Sequence, residues 1–120
     1  YSAQCYATAN AVAEKLNISH PTVCFQSRLG RDPWLQPYTA DILTQAAKKG
    51  HKRLLVFSPS FVSDCLETTI EIGTEYRDDF LALGGHTLDL VPSLNLQPAW
   101  IDCLRHVGSG LTFGHSTINN

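Results

Sequence analysis

The alternation of helical and strand-like segments is the feature that most restricts the fold of this chain. Short apolar stretches with the length and composition of buried strands are separated and flanked by longer segments with helical periodicity. The strand-like stretches cover residues 22–26, 53–57 and 87–91, and the helical segments cover residues 3–17, 39–49, 64–83 and 97–107. This order predicts an α/β fold in which helices cover both faces of a parallel sheet, a three-layer α-β-α arrangement.

Length and composition predict a single domain. The chain has 120 residues, 43% of them hydrophobic and 17% charged, which is enough apolar material to bury a core without metals or disulfides. All the predicted elements fall within residues 1–107. Residues 108–120 are rich in Gly, Ser and Thr, and we expect them to form a frayed tail.

Charge and cysteine spacing exclude several classes of function. The net charge of −2 argues against a nucleic-acid surface, which needs clustered Lys and Arg to neutralise phosphates. The cysteines at positions 5, 24, 65 and 103 include no CxxC pair, so neither a zinc clip nor a small disulfide scaffold is indicated. We therefore expect a reducing, cytoplasmic setting. No apolar run approaches the roughly 20 residues needed to span a bilayer.

Acidic residues at the start of the third helical segment are the first candidate site. On an α-helix Asp64, Glu67 and Glu71 are spaced i, i+3, i+7 and share one face. Grouped carboxylates can bind a cation or accept protons. The same pattern also fits a capping box, with Asp64 as N-cap and Glu67 as its partner. Exposure distinguishes the two, because a site residue faces a cleft.

The loop after the first strand-like stretch is the second candidate. Trp34 lies between two prolines with no amphipathic pattern around it, so it can form a wall for a flat aromatic ligand. Arg28 and Arg31 can pair with carboxylates on such a ligand. The alternative is that Trp34 fills a gap beneath the loop and the arginines are solvated. In a parallel sheet, both candidate segments would emerge at the carboxyl ends of strands, where ligands bind.

Three motifs together resemble the ferrochelatases, the enzymes that insert ferrous iron into a porphyrin. Residues 25–39 match an aromatic-QSR-x-G-x-x-x-W-L-x-P-x-T pattern. Residues 59–68 match P-x-F-x-S/A-D-x-x-E-T, followed by a further glutamate, Glu71. Residues 93–98 match S-L-N-x-x-P. The motifs occur in the family's order and span most of residues 1–107.

The resemblance implies roles for individual residues. Glu67 corresponds to the glutamate of the iron site, so it is the expected metal ligand and a catalytic residue, and Glu71 corresponds to the next carboxylate, proposed to carry protons or metal away. Residues Gln26, Ser27, Arg28, Trp34 and Pro37 correspond to the porphyrin pocket. Cys65 stands where many relatives have histidine, which leaves iron delivery through that position open.

The resemblance also implies a larger protein. This chain would be the C-terminal lobe of a two-lobed chelatase fold, with the iron-site histidine before Tyr1 and an N-terminal lobe as its partner. The isolated chain is then expected to be inactive. The implied substrates are Fe²⁺ and protoporphyrin IX or coproporphyrin, with no iron–sulfur cluster. A cytoplasmic location is expected, with peripheral membrane contact left open.

Two alternatives remain at this point. A chelatase that inserts cobalt or nickel into a related tetrapyrrole would share the architecture. A non-catalytic haem-binding lobe would need no proton route, so carboxylates facing away from Trp34 would favour it. The arrangement of Trp34, Glu67 and Glu71 around one cleft is the observation that discriminates.

Overall fold

The protein was analysed as a computed structural model that describes residues 1–26 and 33–110. Its elements follow the chain as α1 (Ser2–Lys15), α2 (Thr39–Lys48), β1 (Arg53–Val56), a π-helix (Glu67–Tyr76), α3 (Arg77–Ala82), β2 (Thr87–Leu90) and α4 (Pro98–Ser109). The order confirms the predicted α/β class. Within the described ranges, no helix is long and apolar enough to cross a membrane.

The two strands form a parallel sheet. β1 pairs with β2 in the register Leu54↔Leu88 and Val56↔Leu90. The π-helix and α3 connect the strands, as a parallel pair requires a crossover long enough to return the chain to the same edge.

One side of this unit carries the core. Leu43 from α2, Ile72 from the π-helix, Phe80 from α3 and Leu88 from β2 form one buried cluster. Phe80 is completely buried. Because alternate strand residues point to opposite faces, Leu54, Val56 and Leu90 join the cluster while Leu55 and Asp89 are exposed.

The first predicted strand is largely absent, which corrects the expectation for residues 22–26. Only Phe25 makes a bridge, and its partner is Tyr38 rather than β1. The Phe25 N–H donates to the Pro37 carbonyl at 2.9 Å, and the Phe25 carbonyl accepts from the Thr39 N–H at 3.0 Å. The loop that follows therefore satisfies this backbone locally, and the described sheet has two strands.

Helix boundaries differ from expectation at two places. α2 begins at Thr39 and ends at Lys48, one residue before the predicted end, and the buried Thr39 hydroxyl donates to Cys24 Sγ at 3.4 Å. α4 extends to Ser109, two residues beyond the predicted end, and begins with Pro98, whose missing N–H costs nothing in the first turn. Residues 111–120 of the expected tail lie outside the described residues.

The π-helix replaces the first half of a predicted α-helix over residues 64–83. Its hydrogen bonds run from i to i+5, so each turn is wider than in an α-helix. It begins at Glu67, after Leu66, with no side-chain cap. The wider turn changes which side chains share a face of the helix, and this affects the surroundings of Glu67 and Glu71.

Candidate functional site

A cleft of about 220 Å³ opens beside the carboxyl end of β1. Gln26 and Trp34 contribute to one part of its wall, and Phe57 and Phe61, which follow β1, contribute to another. Both segments selected from the sequence therefore border one cavity, where a parallel α/β sheet places its ligands. The volume is below the roughly 300–1,000 Å³ of typical small-molecule pockets.

Gln26 links the two sides of the site. Its side-chain Nε2 donates to the backbone carbonyl of Glu67 at 2.7 Å. Its own backbone carbonyl accepts from Trp34 Nε1 at 3.0 Å. One residue thus fixes both the indole on the loop and the start of the π-helix.

Trp34 presents an accessible ring to the cleft. Trp34 is 38% exposed, while its indole N–H donates to the Gln26 carbonyl. A tethered and accessible indole suits contact with a flat aromatic ligand better than it suits filling a gap beneath the loop. The alternative of a buried plug is therefore not supported.

Glu67 lies at the first turn of the π-helix with an exposed side chain. Hydrogen bonds from its own backbone N–H and from the Cys65 side chain lower the pKa of its carboxyl. The group therefore stays ionised at neutral pH, as a metal ligand or proton acceptor must. Over residues 1–26 and 33–110, no three His, Cys, Asp or Glu side chains converge to hold a metal ion.

Asp64 does not act as the predicted N-cap, and it does not share a helical face with the two glutamates. It lies before the π-helix, and its carboxylate accepts from Asn95 Nδ2 at 2.8 Å and from the Ser93 N–H at 3.0 Å. These contacts lower the pKa of Asp64, with the Asn95 amide as the largest cause. The capping box with Glu67 is therefore wrong, because Asp64 is fastened to a different loop.

Glu71 is half-buried, and its partner is an aromatic residue. Tyr76 Oη donates to Glu71 Oε1 at 3.0 Å. Neither Glu71 nor the Glu67 side chain is among the residues that line the cleft; Glu67 meets it through the backbone contact with Gln26. The structure thus joins Trp34 to Glu67 but not to Glu71.

The remaining predicted pocket residues divide into two groups. Pro37 lies outside the cleft lining and acts through its carbonyl, which accepts from the Phe25 N–H. Ser27 and Arg28 lie outside the described residues.

Comparison with known proteins decides the family. The family model described as Ferrochelatase matches residues 1–109. The chain belongs to the ferrochelatase family. It is 48% identical over 106 residues to a ferrochelatase of Coxiella burnetii and 50% identical over 106 residues to one of Pseudomonas putida, each covering 87% of this chain. A ferrochelatase of Pseudomonas aeruginosa is 45% identical over 113 residues, covering 92%.

The aligned regions are a minor part of these ferrochelatases. They amount to 30% of the Coxiella burnetii protein, 31% of the Pseudomonas putida protein and 33% of the Pseudomonas aeruginosa protein. The chain therefore spans about a third of the length of the curated ferrochelatases it matches.

Two residues of this ferrochelatase-family site were not selected from the sequence as functional. Asn95 is part of the third motif, but nothing in the sequence pairs it with Asp64, 31 positions away. Tyr76 lies five residues after Glu71, a separation that α-helical periodicity does not bring together. A search at π-helical spacing would have found it.

Proposed function

We propose that this chain is the C-terminal lobe of a ferrochelatase that inserts Fe²⁺ into a porphyrin in haem biosynthesis. The observation that carries the proposal is the Gln26 link, which joins the accessible Trp34 ring to the helix start that bears Glu67. Family membership supplies the reaction class, since the matched relatives are named ferrochelatases.

The cleft would bind one face of the porphyrin. Trp34 and Phe61 give it aromatic walls, which favour a large flat ring. Because its volume is small for such a ligand, it suits one wall of a larger site completed by the rest of the protein. An N-terminal lobe is therefore the proposed partner.

The reaction replaces two pyrrole protons with one metal ion. Fe²⁺ and the free-base porphyrin give haem and two H⁺, so the protein must present the metal to the ring nitrogens and remove both protons. Bending the ring toward the metal costs free energy, which contacts at Trp34 and elsewhere along the cleft would supply.

Glu67 is the proposed group that meets the iron or accepts a proton. Its lowered pKa keeps it anionic, and an oxygen ligand suits a ferrous ion that must be released to the ring. The second iron ligand is the histidine that the resemblance places before Tyr1. Glu71, one turn further along the π-helix, would take protons away from Glu67.

A second candidate follows from the position of the carboxylates. Because the Glu71 and Glu67 side chains do not line the cleft, the second candidate is a porphyrin-binding lobe that contributes no proton route. This candidate predicts porphyrin binding that is independent of both glutamates and a turnover that survives their replacement.

Replacement of Glu67 in the complete protein tests the two candidates. Glu67→Gln keeps the shape of the side chain but removes its charge, and we expect a loss of at least about 100-fold in kcat with porphyrin affinity retained. Glu14→Gln, an exposed change in α1 outside the cleft lining, is the matched control and should leave kcat unchanged. Near-normal turnover in Glu67→Gln would favour the non-catalytic candidate.

The chain by itself provides a separate test. We propose that the 120-residue chain does not insert iron without the remaining lobe. We also propose that the protein is cytoplasmic and that its cysteines stay reduced, which agrees with the free thiols of Cys5, Cys24, Cys65 and Cys103. Metalloporphyrin formation, followed by absorbance with Fe²⁺ under anaerobic conditions, is the measurement. Efficient insertion by the isolated chain would contradict the need for a second lobe.

A further inference from the structure

Asn95 and Asp64 form a reciprocal pair of hydrogen bonds. The Asp64 backbone N–H donates to Asn95 Oδ1 at 2.9 Å, and Asn95 Nδ2 donates to Asp64 Oδ2 at 2.8 Å. Both ends of the amide are used, so its orientation is determined by the bonds it makes. An aspartate at position 95 would have no proton to donate to the Asp64 carboxylate, so the pair requires an amide at 95 as long as position 64 is an aspartate.

Further bonds extend the pair into a clamp, which we define as residues 62–64 together with residues 93–95. The Asn95 N–H donates to the Val62 carbonyl at 2.9 Å, and the Ser93 N–H donates to Asp64 Oδ1 at 3.0 Å. The clamp thus fastens the loop after β2 to the segment that precedes the π-helix. Asn95 adopts a φ of 48°, a left-handed conformation that asparagine tolerates better than most residues.

The clamp replaces a missing helix cap. The π-helix begins at Glu67 without a side-chain cap of its own. Instead, the buried Thr68 hydroxyl accepts from the Cys65 N–H at 3.0 Å, donates to the Cys65 carbonyl at 3.0 Å and lies 3.4 Å from Asp64 Oδ1. Asp64, which Asn95 holds, therefore contacts the first turn of the helix through Thr68.

We infer that Asn95 is a positioning residue for Glu67: its amide clamps Asp64 and so fixes where the helix that carries Glu67 begins. The inference rests on the proposed function, because it assigns Asn95 to the reaction only through Glu67. On the other side of the same helix start, Gln26 holds the Glu67 carbonyl. Two separate contacts thus hold the backbone from which the Glu67 side chain extends, as expected of a group whose placement matters to the chemistry.

Two replacements in the complete protein test the inference. Asn95→Gly removes the amide while allowing the positive φ, and Asn95→Asp keeps the shape while placing a carboxylate against Asp64. We expect kcat to fall by roughly 10- to 100-fold in both, because small displacements of a reacting group have effects of that size. The KM for porphyrin should stay within about twofold, since Trp34 and the cleft wall are untouched.

A double exchange separates positioning from simple loss of stability. In Asp64→Asn with Asn95→Asp, the amide and the carboxylate change places, and the two bonds between residues 64 and 95 can form again, while the 3.1 Å bond from Asn95 Nδ2 to the Ser93 carbonyl is lost. We expect this double variant to recover much of the kcat lost in Asn95→Asp alone. Asn17→Gly is the matched control, because Asn17 also has a positive φ, of 54°, and its side chain makes no hydrogen bond within the described residues.

The possible outcomes distinguish failure of the Asn95 positioning role from failure of the proposed function. If Asn95→Gly and Asn95→Asp keep kcat within about twofold of the parent while Glu67→Gln abolishes turnover, the positioning role is wrong and the proposed function stands. If the double exchange recovers no activity, the clamp does not act through the hydrogen bonds described. If Glu67→Gln remains active, the failure lies in the proposed function itself.

Discussion

Tyr76 Oη donates a hydrogen bond of 3.0 Å to Glu71 Oε1 across one turn of the π-helix. The two residues are five positions apart, which matches the i to i+5 repeat of this helix. In an α-helix, with 3.6 residues per turn, a separation of five would turn the side chains well away from each other. The hydrogen bond therefore depends on the π-helical backbone.

Removal of the Tyr76 hydroxyl should destabilise the protein modestly. Tyr76→Phe keeps the ring that packs against the core but takes away the donor to Glu71. We expect a decrease of about 1 kcal/mol in the free energy of unfolding, measured by urea denaturation. Tyr38→Phe is the control, because its hydroxyl makes no hydrogen bond within the described residues. A double-mutant cycle with Glu71→Ala, which removes the acceptor, should show that the two losses are not additive.

Tyr76 should also make the protein sensitive to alkali. Burial, followed by the hydrogen bond to Glu71, raises the pKa of Tyr76 from 10.0 to about 12. A pKa above the unfolded value favours the folded state below that unfolded value, so this contribution is complete below pH 10.0 and is lost as the pH rises towards 12. The urea concentration at which half of the protein is unfolded should decrease between pH 10.0 and about pH 12 in the parent, and should decrease less in Tyr76→Phe. Parallel curves for the two proteins would contradict the assignment.

Asp64 should produce the opposite dependence in acid. The Asn95 amide and the Ser93 N–H lower the pKa of Asp64 below its usual 3.8. A lowered pKa stabilises the folded state above the unfolded value, and this contribution disappears as the pH falls through the folded pKa. The stability difference between the parent and Asp64→Asn should therefore be largest above pH 3.8 and should narrow below it. Chemical denaturation across this range is the measurement.

Gly85 should tolerate no side chain. A Cβ at this position would overlap the ring of Phe80, which is completely buried, so the ring or the backbone would have to shift. Gly85→Ala should therefore cost about 1–3 kcal/mol of stability, the usual effect of overpacking a core. Gly108→Ala is the matched control in α4, where a Cβ meets nothing within 4 Å, and it should be neutral or stabilising by up to about 1 kcal/mol. Thermal unfolding of both variants provides the comparison.

The parts of the fold that follow from local periodicity were predicted well. β1 and β2 lie within a residue of their expected bounds, because their alternating or continuous apolar residues pack directly on the core. α2 was also placed correctly, since Leu43 and its neighbours form an apolar face and Gly50, with a φ of 85°, ends the segment. These elements are specified by residues close together in the chain.

The parts that depend on long-range or unusual geometry were not predicted. Residues 22–26 have strand composition, yet Phe25 pairs with Tyr38, and composition cannot choose a partner. Apolar periodicity at 3.6 residues per turn predicts an α-helix over residues 64–83 and does not distinguish the π-helix that forms its first half. The spacing of Asp64 suggested a cap, whereas its actual partner, Asn95, lies 31 residues further on.

Part of the candidate site is brought together as its motifs suggest. Gln26 and Trp34 belong to one motif and border the same cleft, while their role in binding stays a prediction. The Gln26 bond to the Glu67 carbonyl was not foreseen, because it joins a side chain to a backbone group 41 positions away. The roles of Glu67 and Glu71 stay predictions, since they depend on chemistry that a fold alone does not display.

The π-helix has a further consequence for how this segment can change during evolution. Substitutions at its exposed positions leave the backbone repeat intact, but loss of one residue between Glu71 and Tyr76 would bring them four apart and favour the tighter α-helical repeat. The residues after the deletion would then rotate about the helix axis relative to those before it. The segment that connects β1 to Phe80 and β2 would also be one residue shorter. The length of this segment is therefore expected to be inherited more strictly than its composition, because a change of length shifts the register of everything between Glu71 and β2.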